Sequence, residues 1–301
     1  MALQGQNEFS LEGGRTVEHV GVLFAPFYFT WDAFWVAVVL YWMTFHLGLS
    51  LGYHRYLSHK SFKVPLFLEY FLAYCGVQGG QGDPIFWASV HRHHHQYTDN
   101  HRDPHSPIEG FWFSHISWTL DHTYVKEKPN SVNEIYVQCG EPNNVMDLQK
   151  HAFYRFIQRT YFYHLIGLGL FLYMIGGLPY ILWGMCTRMA WGHHSTFIVN
   201  SVCHKWGTKT WNTKDDSRNN FIIGMLVGEG WHNNHHAFEF SARVGLEWWQ
   251  FDPQWYVVKL LEYIGLATDV KEPTEIQKLK MSFKYDKHGS QSFDQVLNEA
   301  S

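Results

Sequence analysis

The sequence is poor in charge and poor in cysteine. Asp, Glu, Lys and Arg make up 17% of its 301 residues, well below the quarter usual in soluble domains. Hydrophobic residues reach 46% and aromatics 18%, which excludes a disordered chain. A formal net charge of −4 argues against a dedicated nucleic-acid binder. The four cysteines, Cys75, Cys139, Cys186 and Cys203, form no C-x-x-C pair. Neither a disulfide framework nor a zinc ribbon is therefore expected. No G-x-x-x-x-G-K-[ST] and no H-E-x-x-H occur, which removes P-loop nucleotide chemistry and zincin proteolysis. One E-x-x-H, Glu229 to His232, falls short of the two that a ferritin-like di-iron bundle requires.

What the chain does have is histidine and segregated apolar runs. The mean hydropathy of −0.25 hides residues 33–52, which carry one His and no formal charge. About 20 such residues cross a hydrocarbon core as a helix. Residues 161–178 form a second run, and 179–199 a third after the Gly176-Gly177-Leu178-Pro179 break. Residues 17–30 are shorter and interrupted by Pro26. Arg188 inside the third run must snorkel, face a polar cavity or be paired. The expected fold is an all-α integral membrane protein in one domain over 1–301. It has about four transmembrane helices, within 17–52 and 161–199, and a helical cap from 53–160 and 200–277. Residues 126–150 read as a surface loop and 278–301 as a flexible tail. Residues 1–16, with Glu8 and Glu12, show neither a signal nor a transit pattern.

The chain holds 21 His, and three groups of them are patterned. His54 and His59 make an H-x4-H. His91, His94 and His95 make an H-x-x-H-H, and so do His232, His235 and His236. Residues i, i+3 and i+4 share a helix face, so each H-x-x-H-H is expected to aim three imidazoles at one point. These rings exceed the four positions of a tetrahedral zinc and suit two metals of higher coordination. His204 is a further candidate, and Asn200, one turn before it, is placed to hold a metal-bound water. His19, His46, His115, His122, His151, His164, His193, His194 and His288 read as ordinary satisfied histidines.

Crossing parity lets these rings meet. The segment between His59 and His91 is too short for two crossings, so the apolar piece 66–77 is expected along the membrane interface. A hairpin over 161–199 would return the chain to the same face. A dinuclear all-histidine site beside lipid suggests oxygen chemistry on a hydrocarbon. Iron supplies the strong oxidant that an unactivated methylene requires, and zinc cannot. Phe34, Trp35 and Trp42 are expected to line an acyl channel.

The ordered boxes resemble those of the membrane fatty acid desaturases, most closely the Δ9 type of the plant and cyanobacterial branch. The likeness rests on Gly52-Tyr53-His54-Arg55, Asp103-Pro104-His105, Asn143-Asn144-Val145-Met146-Asp147-Leu148, Val199-Asn200-Ser201 and Trp231-His232-Asn233-Asn234-His235-His236-Ala237-Phe238. It covers about residues 20–273. The resemblance implies two Fe ions held by His54, His59, His91, His94, His95, His204, His232, His235 and His236, with Asn200 reaching one through water. It implies O₂ as co-substrate, a fatty acyl-CoA or acyl-lipid as substrate, and cytochrome b5 or ferredoxin as electron donor. No His-Pro-Gly-Gly is present, so a separate donor protein is expected. The implied setting is a multi-pass protein of the endoplasmic reticulum, plastid or a bacterial membrane, with its site on the cytosolic or stromal face. An alkane, carotenoid or other lipid hydroxylase is the alternative enzyme, and a membrane metal transporter the non-enzymatic one.

Overall fold

The computed structural model describes residues 14–119 and 143–283. Cys139, His122, His288, most of the 126–150 loop and most of the 278–301 tail lie outside them. Every regular element in the described part is helical, and β-pairing is limited to isolated bridges such as Lys63 with Thr268.

Helix α1 (residues 14–24) runs into a 3₁₀ turn, Ala25–Tyr28, where Pro26 sits in the first turn and needs no N–H partner. Helix α2 then runs unbroken over Trp31–Ser58. Thr30 caps it by accepting from the Ala33 N–H at 3.2 Å. From Trp42 onward α2 widens into a π-helix. Helix α3 (Leu66–Val77) packs antiparallel on that wide half. The approach is backbone to backbone: a Cβ on Gly48 would overlap Gly76 N and the Cys75 carbonyl. Gly48 and Gly52 therefore set how closely α3 sits. The outward face of α3, including Leu66, Phe67 and Phe71, is exposed.

After α4 (Pro84–Tyr97), α5 (Phe111–His115) and α6 (Met146–Gln149) comes the longest helical stretch, Ala152–Val202. It is a hairpin. Gly177 adopts φ 61°, ψ −151°, outside helical geometry, and Pro179 follows. The two arms touch where Leu172 Cδ1 meets Gly184. Tyr161 on one arm and His193 on the other both bond the Gly80–Gly82 turn. The returning arm runs parallel to α2, with Gly184 beside Val36 and Leu40, and Tyr41 bonded to Ser195 at 3.0 Å. The end of α2 that carries His54 and His59 thus lies on the same side as the end that leads to His204.

Arg188, the charge inside the third run, is buried and satisfied within the bundle. It donates to the Gly184 and Gln78 carbonyls and to Thr44. Phe34, Trp35 and Trp42 do not line an interior channel. Trp35 and Trp42 are exposed, and Phe34 joins a ring cluster with Phe29 and Trp183. Successive helical residues step by about 100°, so a run apolar on all sides turns some aromatics outward wherever the inner stripe is already filled.

The remaining helices, α7 (Phe221–Val227), α8 (His232–Ala237), α9 (Pro253–Tyr263) and α10 (Glu275–Met281), gather over the same end of the bundle. The stretch read as a tail from 278 begins inside α10, which Thr274 and Gln277 close with a capping box.

Candidate metal centre

His54 and His59 are five residues apart. On an α-helix that spacing puts them about 140° apart, on different faces. The π-helical end of α2 corrects this, because His59 N donates to His54 O at 3.2 Å, one wide turn back. The two rings then lie with centroids 5.0 Å apart. Helix α4 starts on Asp83, which accepts from Ile85 and Phe86 N–H, with Pro84 at its first position. Its final turns carry the second box, and α8 carries the third.

The eight patterned histidines and His204 form two groups, each with ligand-capable atoms within 4.8 Å of one another. One contains His54, His59, His91, His95 and His235. The other contains His94, His204, His232 and His236. Each H-x-x-H-H is therefore split between two points, not aimed at one. On a helix i+4 lies about 40° to one side of residue i and i+3 about 60° to the other. His91 and His95 accordingly go together and His94 does not; His232 and His236 go together and His235 does not. Each group thus takes rings from both α4 and α8.

Within the groups the Nε2 atoms face one another. The separations are 3.0 Å for His54–His235, 2.8 Å for His59–His91, 2.9 Å for His95–His235, 2.9 Å for His204–His232 and 3.0 Å for His232–His236. Two nitrogens about 2.1 Å from one metal ion, at right angles, are about 3.0 Å apart. His94 Nε2 is buried with no protein partner. Burial first, then repulsion among neighbouring rings, holds His59, His91, His94, His232, His235 and His236 well below the ordinary 6.5. Neutral imidazole is the form that binds a metal. In His204 burial also acts downward and is the largest single influence, but the bond to Asp99 and the charges of Asp99, Asp103 and Asp215 together outweigh it and raise the value. The donor set fits a pair of transition-metal ions.

The outer nitrogens mostly face carboxylates; the sequence offers Asp103 and Glu229 only as parts of motifs, and Asp99 and Asp215 not at all. His94 Nδ1 meets Asp103 at 2.9 Å, His204 Nδ1 meets Asp99, and His236 Nδ1 meets Asp215 at 3.2 Å. Asp99 follows the end of α4 at φ 57°, a left-handed turn that Asp tolerates better than most residues.

A frame of buried polar bonds holds the boxes in register. Arg55 donates to Glu229 at 2.8 Å and pairs with Asp252 at 2.8 Å. Arg92 forms a two-toothed pair with Asp147, at 2.8 and 3.0 Å, and also bonds the Leu57, Ser58 and Asn144 carbonyls. Asn233 accepts from Thr210 and Trp211 N–H, and Asn234 donates to Val244 and Gln250. Residues 143–149, expected in a surface loop, are a docked helical turn whose Asp147 locks α4. The signal was an acidic residue in an otherwise apolar Val145-Met146-Asp147-Leu148.

Among the described residues, the histidines read as ordinary have other partners. His193 bonds Glu18 and Gly80, His46 bonds Gln254, and His194 bonds His19 and His115. Asn200 lies partly buried in the last turn before His204.

The Asp147 pair carries a pH dependence. Burial raises its pKa, but hydrogen bonds and charge from Arg92 and Lys60 prevail and hold it well below the ordinary 3.8. A depressed carboxylate stabilises the fold above its unfolded pKa, and that contribution is lost as pH falls toward the folded value. Asp147→Asn is therefore expected to lower the thermal midpoint at neutral pH. The gap from wild type should stay constant down to about pH 5 and narrow below about pH 4. A gap independent of pH, measured by thermal unfolding, would refute this role.

Residues 29–268 match the family model for fatty acid desaturases. The chain is 55% identical over 267 residues to "Acyl-CoA 5-desaturase AL21" of Anemone leveillei, covering 88% of this chain and 80% of that one. It is 56% identical over 269 residues to the chloroplastic palmitoyl-monogalactosyldiacylglycerol delta-7 desaturase of Arabidopsis thaliana, covering 89% and 70%. Against "Delta-9 acyl-lipid desaturase 2" of Arabidopsis thaliana the identity is 53% over 265 residues, covering 88% and 83%. With the histidine boxes gathered over one end of an all-helical bundle, this chain belongs to the fatty acid desaturase family.

Proposed function

We propose that the protein introduces a double bond into a saturated fatty acyl chain, at Δ9, using O₂ and two irons. The observation that carries this reading is the pair of imidazole groups at one end of long apolar helices. In the most apolar part of Ala152–Val202 only 11% of residues are buried. Tyr163, Leu170, Phe171 and Met174 are exposed there. A soluble core helix of such composition would be covered, so lipid is the solvent these faces fit. Four crossings, the first by α1 continued through its 3₁₀ turn and the others by α2 and the two hairpin arms, would put both imidazole groups in a cap on the cytosolic or stromal side; α2 and the Ala152–Val202 hairpin are the stretches long and apolar enough to span. The membrane is that of the endoplasmic reticulum in a eukaryote, with a plastid or bacterial membrane as the alternative; one relative of 56% identity is named as chloroplastic.

His54, His59, His91, His95 and His235 would hold one iron, and His94, His204, His232 and His236 the other, with Asn200 holding a water on the second. The irons supply the capacity to reduce O₂ to an oxidant able to remove hydrogen from a methylene. The substrate loses one hydrogen from each of two adjacent carbons. Two electrons from cytochrome b5 or ferredoxin and two protons complete the reduction of O₂ to two waters. The protein's own part is to fix the rings through the carboxylates behind them, and to hold α4 and α8 rigid through Arg92 and Asn234. The acyl chain arrives on coenzyme A or a glycerolipid.

Expression in a desaturase-deficient yeast with a donor protein, followed by chromatography of the fatty acids, tests the reading. A cis-Δ9 monoene is the expected product. A hydroxylated acid would assign the alternative chemistry, and a Δ5 or Δ7 monoene would overturn the position, since relatives named for Δ5 and Δ7 are as similar as the Δ9 one. Asn200→Ala is expected to slow turnover about 10–100-fold, the range for groups that act on a metal through a second partner. Iron content should be unchanged, and an unimpaired rate would remove Asn200 from the site.

A further inference from the structure

We propose that Asp99, Asp103 and Asp215 are positioning residues for the four-imidazole group, supplying by buried hydrogen bonds what the other group gains from a fifth ring. The proposal rests on the metal reading above.

The two groups are backed unequally. In the four-ring group, three rings have a buried or nearly buried carboxylate on the outer nitrogen. Asp103 is fully buried and lies 2.9 Å from His94 Nδ1. It is itself fixed by the backbone N–H groups of Asp99 and His105 at 3.1 Å. Asp99 lies 3.2 Å from His204 Nδ1 and accepts from the Asp216 N–H at 2.6 Å. Asp215 lies 3.2 Å from His236 Nδ1 and is braced by Thr213 and the Ser217 N–H at 3.0 Å. None of the three side chains pairs with a Lys or Arg among the described residues.

The five-ring group is different. His59, His91 and His235 have no carboxylate within 4.0 Å of a ring nitrogen among the described residues. Glu229 is 3.5 Å from His54 Nδ1 but already holds Arg55. Glu239 is 3.3 Å from His95 Nδ1 and its side chain is 57% exposed. A carboxylate on the outer nitrogen fixes the ring's tautomer and orientation and makes its inner nitrogen a stronger donor. Three uncompensated anions therefore favour a cation at the group that is one ring short.

The test uses the full-length protein in lipid nanodiscs, loaded anaerobically with ferrous iron and dialysed against a graded ferrous chelator. Iron per chain and the Mössbauer spectrum are read, with activity set aside. Asp99→Asn and Asp215→Asn are each expected to weaken retention of one iron about 10–100-fold. Over that chelator range they should hold one iron where wild type holds two, and lose one spectral component. Glu239→Gln should still hold two. Thermal midpoints of the iron-free proteins show whether each variant folds. Asp215, at the less buried edge, provides a second arm should Asp99→Asn misfold. Variants that keep both irons as wild type does, or that release both together, overturn the proposal while the metal reading stands. A wild type that takes up no iron overturns both.

Discussion

His235→Ala is expected to lower desaturation by more than about 100-fold, beyond the loss typical of an outer-shell change, while the protein still inserts in membranes. His235 is the hub of the five-ring group. Its Nε2 is 3.0 Å from His54 and 2.9 Å from His95, and its ring centroid is 4.7 Å from that of His59. Removing it takes the single contribution of α8 from that group, and α2 and α4 alone must hold the ion. Product formation by membranes from the expressing cells measures the effect. Substantial remaining activity would remove His235 from the ligand set. His193→Ala is a useful contrast: that ring, bonded to Glu18 and Gly80, lies in neither group, so any loss should appear as lower stability and not as lost iron.

Arg55→Ala is expected to cost about 3–5 kcal/mol, because it strands buried carboxylates without their cation. Arg55 is 1% exposed and faces both Glu229 and Asp252. Its Nη1 also donates to the Ala242 carbonyl at 2.8 Å. At roughly 2–4 °C per kcal/mol for a chain of this size, the thermal midpoint should fall by about 6–20 °C. Arg55→Lys keeps one charge but not the fork that spans two carboxylates, so it should fall between. A midpoint within about 2 °C of wild type for Arg55→Ala would show that the network is dispensable. Because Arg55 adjoins His54 and Glu229 lies three residues before His232, the same variant should loosen the first box from the third.

The residue types of the site were legible because histidine at fixed spacing is a local pattern. H-x-x-H-H and H-x4-H name candidate rings without knowledge of the fold. Their grouping was not legible. A one-face reading of H-x-x-H-H merges i+3 with i+4, whereas the 100° step per residue separates them enough to serve two points. The π-helical turn that unites His54 with His59 leaves no spacing signal, since the same five residues in an α-helix would diverge. The carboxylates behind the rings were hidden for a related reason. Asp99, Asp103 and Asp215 are distant in sequence from two of their three partners, His204 and His236 being on other segments.

The helical class, the apolar runs, the hairpin break at Gly177 and Pro179, and the identity of the histidine boxes are all readable from the residues in order. Each follows from periodicity, composition or a residue's own backbone preference, all of which act over a few neighbours. Folding in three dimensions set α2 and the returning arm parallel. The same packing divided the nine rings into five and four and turned Asp147 from a loop residue into the lock on α4. Those outcomes depend on which helix faces meet and on which buried charges find a partner across the chain, and no local pattern encodes that choice.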